Sequence, residues 1–289
     1  MNQRDFEDLI SIVSSRLMRL REDQNGILHE GQIEEVLDRE LNHHAYDVDR
    51  NAALSRLERN FEILIGPATT LRGNEDRPEP WVAERRNEGK LEWQYWARYR
   101  LHLLRKWAGP TVGRLDQNTD QILNNMMPPD TKGLWDQRGL VVGHIQSGKT
   151  SNFTGLICKA IDAGYKVVIV LAGMHKNLRT QTQIRLEEEF LGYATTDENI
   201  EIRRRTGVGN IESVQTITDS ITTRGDSGDF KKANAAHAGY PGYAPQLFVV
   251  KKNPSVLKNL FNWVSGVAQT KGDGNQILNN DKSLVFRII

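Results

Sequence analysis

The stretch GLVVGHIQSGKTSNFTGL, residues 139–156, decides how the whole chain is read. Gly143, Gly148, Lys149 and Thr150 stand at the G-x-x-x-x-G-K-[ST] spacing. Glycine and lysine are common enough that this match arises by chance on the order of once in a hundred chains of this length, so its surroundings carry weight. Residues 139–142 are an apolar run expected to form a short buried strand, and 151–163 have the pattern of a helix. A strand leading in and a helix leading out aim backbone N–H groups and the positive helix end at a polyphosphate.

The expected roles follow from that geometry. Glycines let the backbone curl around oxygen atoms, so the amides of Gly143, Ile145, Gln146, Ser147, Gly148, Lys149 and Thr150 are the phosphate-binding candidates. Lys149 places a point charge on the β and γ phosphates, and the Thr150 hydroxyl joins a Mg²⁺ shell. These two are the catalytic candidates, with Mg²⁺ and a nucleoside triphosphate as the implied cofactors. His144 occupies a variable position of the pattern and is read as a solvent-facing loop residue.

Beyond the loop, apolar runs alternate with helical patterns. Strands are expected at 166–172, 214–217, 247–250 and 284–289, and helices at 178–190 and 254–267. Such alternation predicts a mostly parallel sheet covered on both faces, an α/β fold. Residues 224–242, rich in Gly, Ser, Asp and Asn, read as a flexible loop.

The first part of the chain reads differently. Phe6, Leu9, Ile10, Val13, Leu17 and Leu20 recur at spacings of three and four, as do Ile33, Val36, Leu37 and Leu41, and Leu54, Leu57, Phe61, Leu64 and Ile65. These are helical stripes of a small bundle. A polar, proline-containing loop follows at 66–80. Residues 81–107 read as one helix with Trp93, Trp96, Tyr99, Leu103 and Trp107 near one face, an aromatic stripe taken as core rather than as a base-stacking platform. A short helix at 116–127 precedes Pro128, Pro129 and Gly133, which mark a linker. The expected organisation is a helical domain over 1–129 and an α/β lobe over 130–289.

Composition bounds the function classes. The chain has 289 residues, 38 basic against 37 acidic, a formal net charge of +1, and a single cysteine, Cys158. Charge balance argues neither for nor against nucleic acid. One cysteine excludes an internal disulfide, and its apolar surroundings make it a core residue. The histidines, including the pair His43 and His44, show no zinc spacing. No apolar run reaches the roughly 20 residues of a membrane span, and the polar amino terminus is unlike a signal peptide, so a cytoplasmic protein is expected.

Hydrolysis at such a loop also needs a carboxylate at the tip of a second strand. The runs at 166–172 and 247–250 end in Gly173 and in Lys251 and Lys252, and SLVFRII stops at Ile289. The expectation is therefore the amino-terminal part of a longer protein, competent to bind nucleotide and feeble at hydrolysis. TKGD at 270–273 and DTKG at 130–133 imitate GTPase motifs, but in the wrong order and setting. Asp76 with Glu88 and Lys90 loosely copies a nuclease metal site, without the strand that would bring both carboxylates to one metal.

WDQRGLVVGHIQSGKTSNFTGLICKAIDAGYKVVIVLAGMHKNLRTQTQIRLEEEFLG, together with QTIT and LFVVKKNPSVLKNL, resembles the Z-one domain family over residues 116–289. That resemblance implies a RecA-like lobe of the superfamily 2 helicase type, binding ATP, acting on DNA, and encoded beside restriction and modification genes. Members are often labelled endonucleases. It makes His175, Lys176, Arg179 and Gln181 in AGMHKNLRTQTQ, and Thr216 in QTIT, candidates for nucleic-acid backbone contact. A bracing role for Arg179 and Gln181 stands as an equal alternative. Lys251, Lys252 and the run 203–205 are weaker candidates. The family's acidic run after LVFRII and its second motor domain are not in this chain. The function implied is a helicase-like, nucleic-acid-dependent ATPase of a restriction or phage-defence system, with a nuclease or methyltransferase partner. The alternative is a nucleotide-gated scaffold that recruits such a partner.

Overall fold

The computed structural model describes residues 3–23, 28, 31–61, 78–105, 107, 109–132, 137–142, 149–195, 204–211, 217–225, 227–231, 244–269 and 283–287. The chain divides into two compact units. The first comprises Met1–Thr69, Lys106–Leu115 and Val141–Lys149, and the second Thr70–Arg105, Asp116–Leu140 and Thr150–Ile289. The second unit therefore takes in helices from both sides of residue 129, the boundary expected from the change in sequence texture.

Besides residues 109–115 of a further helix, the first unit holds three described helices: α1 (Gln3–Asp23), α2 (Gln32–His43) and α3 (Arg50–Phe61). Their apolar stripes meet as predicted, with Leu9, Val13, Leu17, Leu37, Ala53 and Leu57 having no exposed surface. Asp49 accepts the amides of Asn51 and Ala52 at 2.8 and 3.2 Å, which satisfies N–H groups that the first turn of α3 leaves free. Leu64 and Ile65, and most of the 66–80 loop, lie outside the described residues.

The second unit begins with two short helices, α4 (Val82–Asn87) and α5 (Tyr95–Leu104). The single helix expected over 81–107 is thus broken. Gly89, at φ +68°, takes the chain through a left-handed turn that other residues rarely adopt, and Trp93 lies ahead of α5. Both helices are capped by side chains far away in sequence. Asn124 accepts the amides of Trp81 and Val82 at 2.9 Å, and Asp162 accepts those of Tyr95 and Trp96 at 3.0 Å. Trp96, Tyr99 and Leu103 are core residues, as expected. Glu88 and Lys90 pair with each other at 2.9 Å on the turn after α4, on no strand, and Asp76 lies outside the described residues.

The helix expected at 116–127 belongs to a longer one, α6 (Gly109–Asn124). It is followed along the chain by α7 (Lys149–Asp162), β1 (Val167–Ala172) and α8 (Lys176–Leu186), which continues as a π-helical turn, Glu187–Leu191. Then come a 3₁₀ turn, Gly207–Asn210, and β2 (Asp219–Ser220), β3 (Gln246–Lys251), α9 (Pro254–Gln269) and β4 (Ser283–Arg287).

The four strands form one parallel sheet in the order β2-β3-β1-β4, with Val167 opposite both Gln246 and Ser283. Val167 and Ile169 pack with Phe230, Phe248, Val250 and Leu260 in one core, with Trp263 of α9 against it. Val168 and Val170 project from the opposite face and have no exposed surface either. A sheet buried on both faces explains why its central strands read as unbroken apolar runs. Cys158 of α7 is buried, as its apolar setting predicted.

One expected strand differs from the structure, and another lies mostly outside the described residues. Residues 139–142 form no strand, and Leu140, Val141 and Val142 are 76, 53 and 84% exposed. An apolar run becomes a strand only when a neighbour pairs with it, and among the described residues none does. Residues 214–216 lie outside the described set, while Ile217 is 75% exposed and the strand begins at Asp219. Among the described residues, no helix is long and apolar enough to cross a membrane.

Candidate nucleotide and nucleic-acid site

Residues 143–148 and the side chain of Lys149 lie outside the described residues, so the loop candidates Gly143, Ile145, Gln146, Ser147 and Gly148 have no geometry here. Their helix does. α7 is described from Lys149, the residue before the motif's last, and its first turn holds no acidic residue. The Thr150 side chain is partly exposed, whereas Ser151 is buried. Of the motif's side chains only that of Thr150 is described, a hydroxyl of the kind that can ligate Mg²⁺.

At the carboxyl end of β1, Gly173, Met174 and His175 lead into α8. His175 precedes the helix in extended conformation, and His175, Lys176 and Gln181 are all exposed. A Cβ at Gly173 would lie 2.7 Å from Leu178 Cδ1, the far end of an exposed side chain that can move aside. Met174 and Leu178, 71 and 48% exposed, share this surface.

Arg179 does not. It is 1% exposed and donates to the carbonyls of Thr223 and Gly225 at 2.9 and 3.2 Å, and its burial lowers the guanidinium pKa. Of the two alternatives, surface contact and bracing, the structure has bracing: the side chain holds the turn after β2 against α8. Gln181 is not part of that brace.

Arg179, Gln183 and Leu186 make the buried stripe of α8. Gln183 donates to Ser220 Oγ at 3.1 Å and accepts from Thr222 Oγ1 at 2.9 Å, while Thr222 Oγ1 accepts the Val249 amide at 2.9 Å. Buried polar groups of this kind are stable only when every member has a partner. The network therefore fixes the register of α8 against β2 and β3. Glu187, with no exposed surface, extends it by accepting hydrogen bonds from Arg224 and Thr195.

Thr216 lies outside the described residues, but the segment that follows it is held tightly. Tyr95 donates its hydroxyl to the Ile217 carbonyl at 2.7 Å and accepts from Thr218 Oγ1 at 2.9 Å. Tyr193 donates to the Thr218 carbonyl at 2.7 Å and accepts the Ser220 amide at 3.2 Å. Sequence reading missed both tyrosines, because their partners are far away along the chain and no local pattern announces them. Lys251, a weaker candidate, stands 3.4 Å from the Asp229 carboxylate, and Arg204 and Arg205 are exposed.

Compared with models of known families, with curated proteins and with solved structures, the chain finds no match.

Proposed function

We propose that this chain is the Mg–ATP-binding, RecA-like lobe of a helicase-like, nucleic-acid-dependent ATPase of the kind that serves bacterial DNA restriction or phage defence. The observation that carries the reading is the G-x-x-x-x-G-K-[ST] pattern together with the helix that follows it, since α7 contains the pattern's last two residues, Lys149 and Thr150.

In this reading Lys149 sits on the β and γ phosphates and Thr150 joins the Mg²⁺ shell. Bound magnesium supplies charge neutralisation across the phosphate oxygens. The parallel sheet supports the same conclusion, since ligands of open α/β sheets bind outside the carboxyl ends of the strands. His175, Lys176 and Gln181, exposed beyond β1, suit contact with a nucleic-acid backbone, which positions a strand without reading its bases.

A fluorescent ATP analogue tests the proposal. Saturable binding in the presence of magnesium, displaced by unlabelled ATP and abolished by Lys149→Ala, is the expected result. Equal binding by wild type and Lys149→Ala refutes the assignment.

A further inference from the structure

The carboxyl end of β1 carries two apolar side chains that the fold leaves in solvent. Met174 is 71% exposed and Leu178 48%, and both belong to the turn built on Gly173. A Cβ added at Gly173 would lie 3.4 Å from Leu178 Cβ, so Leu178 covers the glycine, and Met174 is the next residue along the chain. The Gly173 carbonyl accepts the amide of Lys252 at 3.2 Å, which brings the residue after β3 to the same turn. One exposed apolar residue is ordinary, whereas two on one turn make a small apolar patch.

The surroundings of that patch are cationic. His175 and Lys176 are exposed between Met174 and Leu178 in the chain, Lys252 is partly exposed, and the first turn of α8 holds no acidic residue. Gln181, three positions on from Leu178, extends the same face of the helix. All of these residues belong to the second compact unit. An apolar centre beside cations matches a ligand that has an anionic backbone and an apolar face. A nucleotide chain has both, provided that its base faces are uncovered. In a duplex each base face lies against its neighbours, and parting a step costs free energy, whereas a single strand offers the same face at little cost. The thioether of Met174 suits this contact, because its polarizable sulfur attracts an aromatic ring.

We infer that Met174 and Leu178 form a base-contact patch, so that this lobe prefers single-stranded nucleic acid to duplex. The inference rests on the proposed function, which gives His175, Lys176 and Gln181 to the backbone. It adds the strandedness that those contacts leave open, since a backbone contact positions either form and carries no information about the bases.

Fluorescence anisotropy with the full chain measures affinity for three probes of equal length. One is a thymidine oligonucleotide, one a duplex, and one an abasic oligonucleotide that keeps the sugars and phosphates and lacks the bases. Wild type is expected to bind the thymidine probe about 5-fold or more tightly than either of the others, the effect of one base contact. Met174→Ser should bring the thymidine probe down towards the abasic one and leave the abasic affinity unchanged, and adding Leu178→Ser should complete the loss. Met174 is the more exposed of the two, so its single variant keeps the fold and is read even where the double variant does not. A patch that serves a protein partner instead leaves all three affinities untouched by Met174→Ser, and that outcome overturns the inference. So does a wild type that binds the duplex or the abasic probe as tightly as the thymidine probe. A folded wild type that binds none of the three overturns the nucleic-acid part of the functional reading itself, an outcome separable from the others.

Discussion

Lys159 Nζ, on a side chain with no exposed surface, donates to Asp120 Oδ1 at 2.6 Å. The same ammonium donates to the carbonyl and the carboxylate of Asp116 at 2.7 and 2.5 Å, and stands 4.6 Å from the centroid of Trp96. Burial raises the Asp120 pKa, and the charge of Lys159 opposes that rise. The buried ammonium thus has three oxygen partners and an aromatic face, and it links α6 to α7.

Lys159→Met is therefore expected to destabilise the protein by about 2–4 kcal/mol, because it leaves two half-buried carboxylates facing each other. Adding Asp120→Asn should restore part of the loss by removing one of those charges. Urea denaturation of the single and double variants measures both effects.

Asp162 makes stability depend on pH. Burial raises its pKa to about 7, against the opposing pull of the backbone amides of Trp96, Tyr95 and Gln94 and the charge of Arg98. The folded state thus holds this proton more tightly than the unfolded chain, where the ordinary value is 3.8. The contribution is fully present below pH 4 and is lost as pH rises through 7. Relative to Asp162→Asn, the wild type should weaken by about 1–4 kcal/mol between pH 4 and pH 8. Denaturation midpoints of both proteins at pH 5 and pH 8 test the sign, and a difference that does not move with pH contradicts it.

Arg179 and Lys176 should separate structure from binding. Arg179→Met strands the carbonyls of Thr223 and Gly225 and should cost about 2–4 kcal/mol. Lys176→Ala, at an exposed position, should change stability by less than about 0.5 kcal/mol. On the proposed function it should also weaken oligonucleotide binding and reduce the salt slope by about 1. Thermal melts and binding at several salt concentrations distinguish the two residues.

Gly192 and Gly209 mark a backbone crossing. Gly192 adopts φ +85°, and a Cβ on Gly209 would lie 1.8 Å from the Gly192 carbonyl oxygen. No side-chain rearrangement relieves a clash with backbone. Gly209→Ala should cost about 3 kcal/mol or more, read as a lowered melting temperature.

Features written in local periodicity were legible in the sequence. The stripes of α1, α2 and α3 and the apolar runs of β1 and β3 stand within a residue or two of where spacing put them. Features set by distant partners were not legible. The start of α5 is capped by Asp162, 67 positions along from Tyr95, so the pattern of 81–107 suggested one helix where there are two. The inner stripe of α8 is polar, built on Arg179 and Gln183, and hydrophobic periodicity could not find it. Residues 139–142 misled for the converse reason, since their composition suits a strand but pairing is a property of neighbours. At the candidate site, His175, Lys176 and Gln181 came from the resemblance alone, and the structure has them exposed beyond the end of β1. The Tyr95 and Tyr193 clamp was invisible because it joins residues across the fold.

Isothermal titration of the full chain with Mg–ATP tests the central claim most directly. The account predicts a saturable heat with one site per chain for the wild type, and none for Lys149→Ala at unchanged helix content. No heat from folded wild type, or the same heat from the variant, contradicts it.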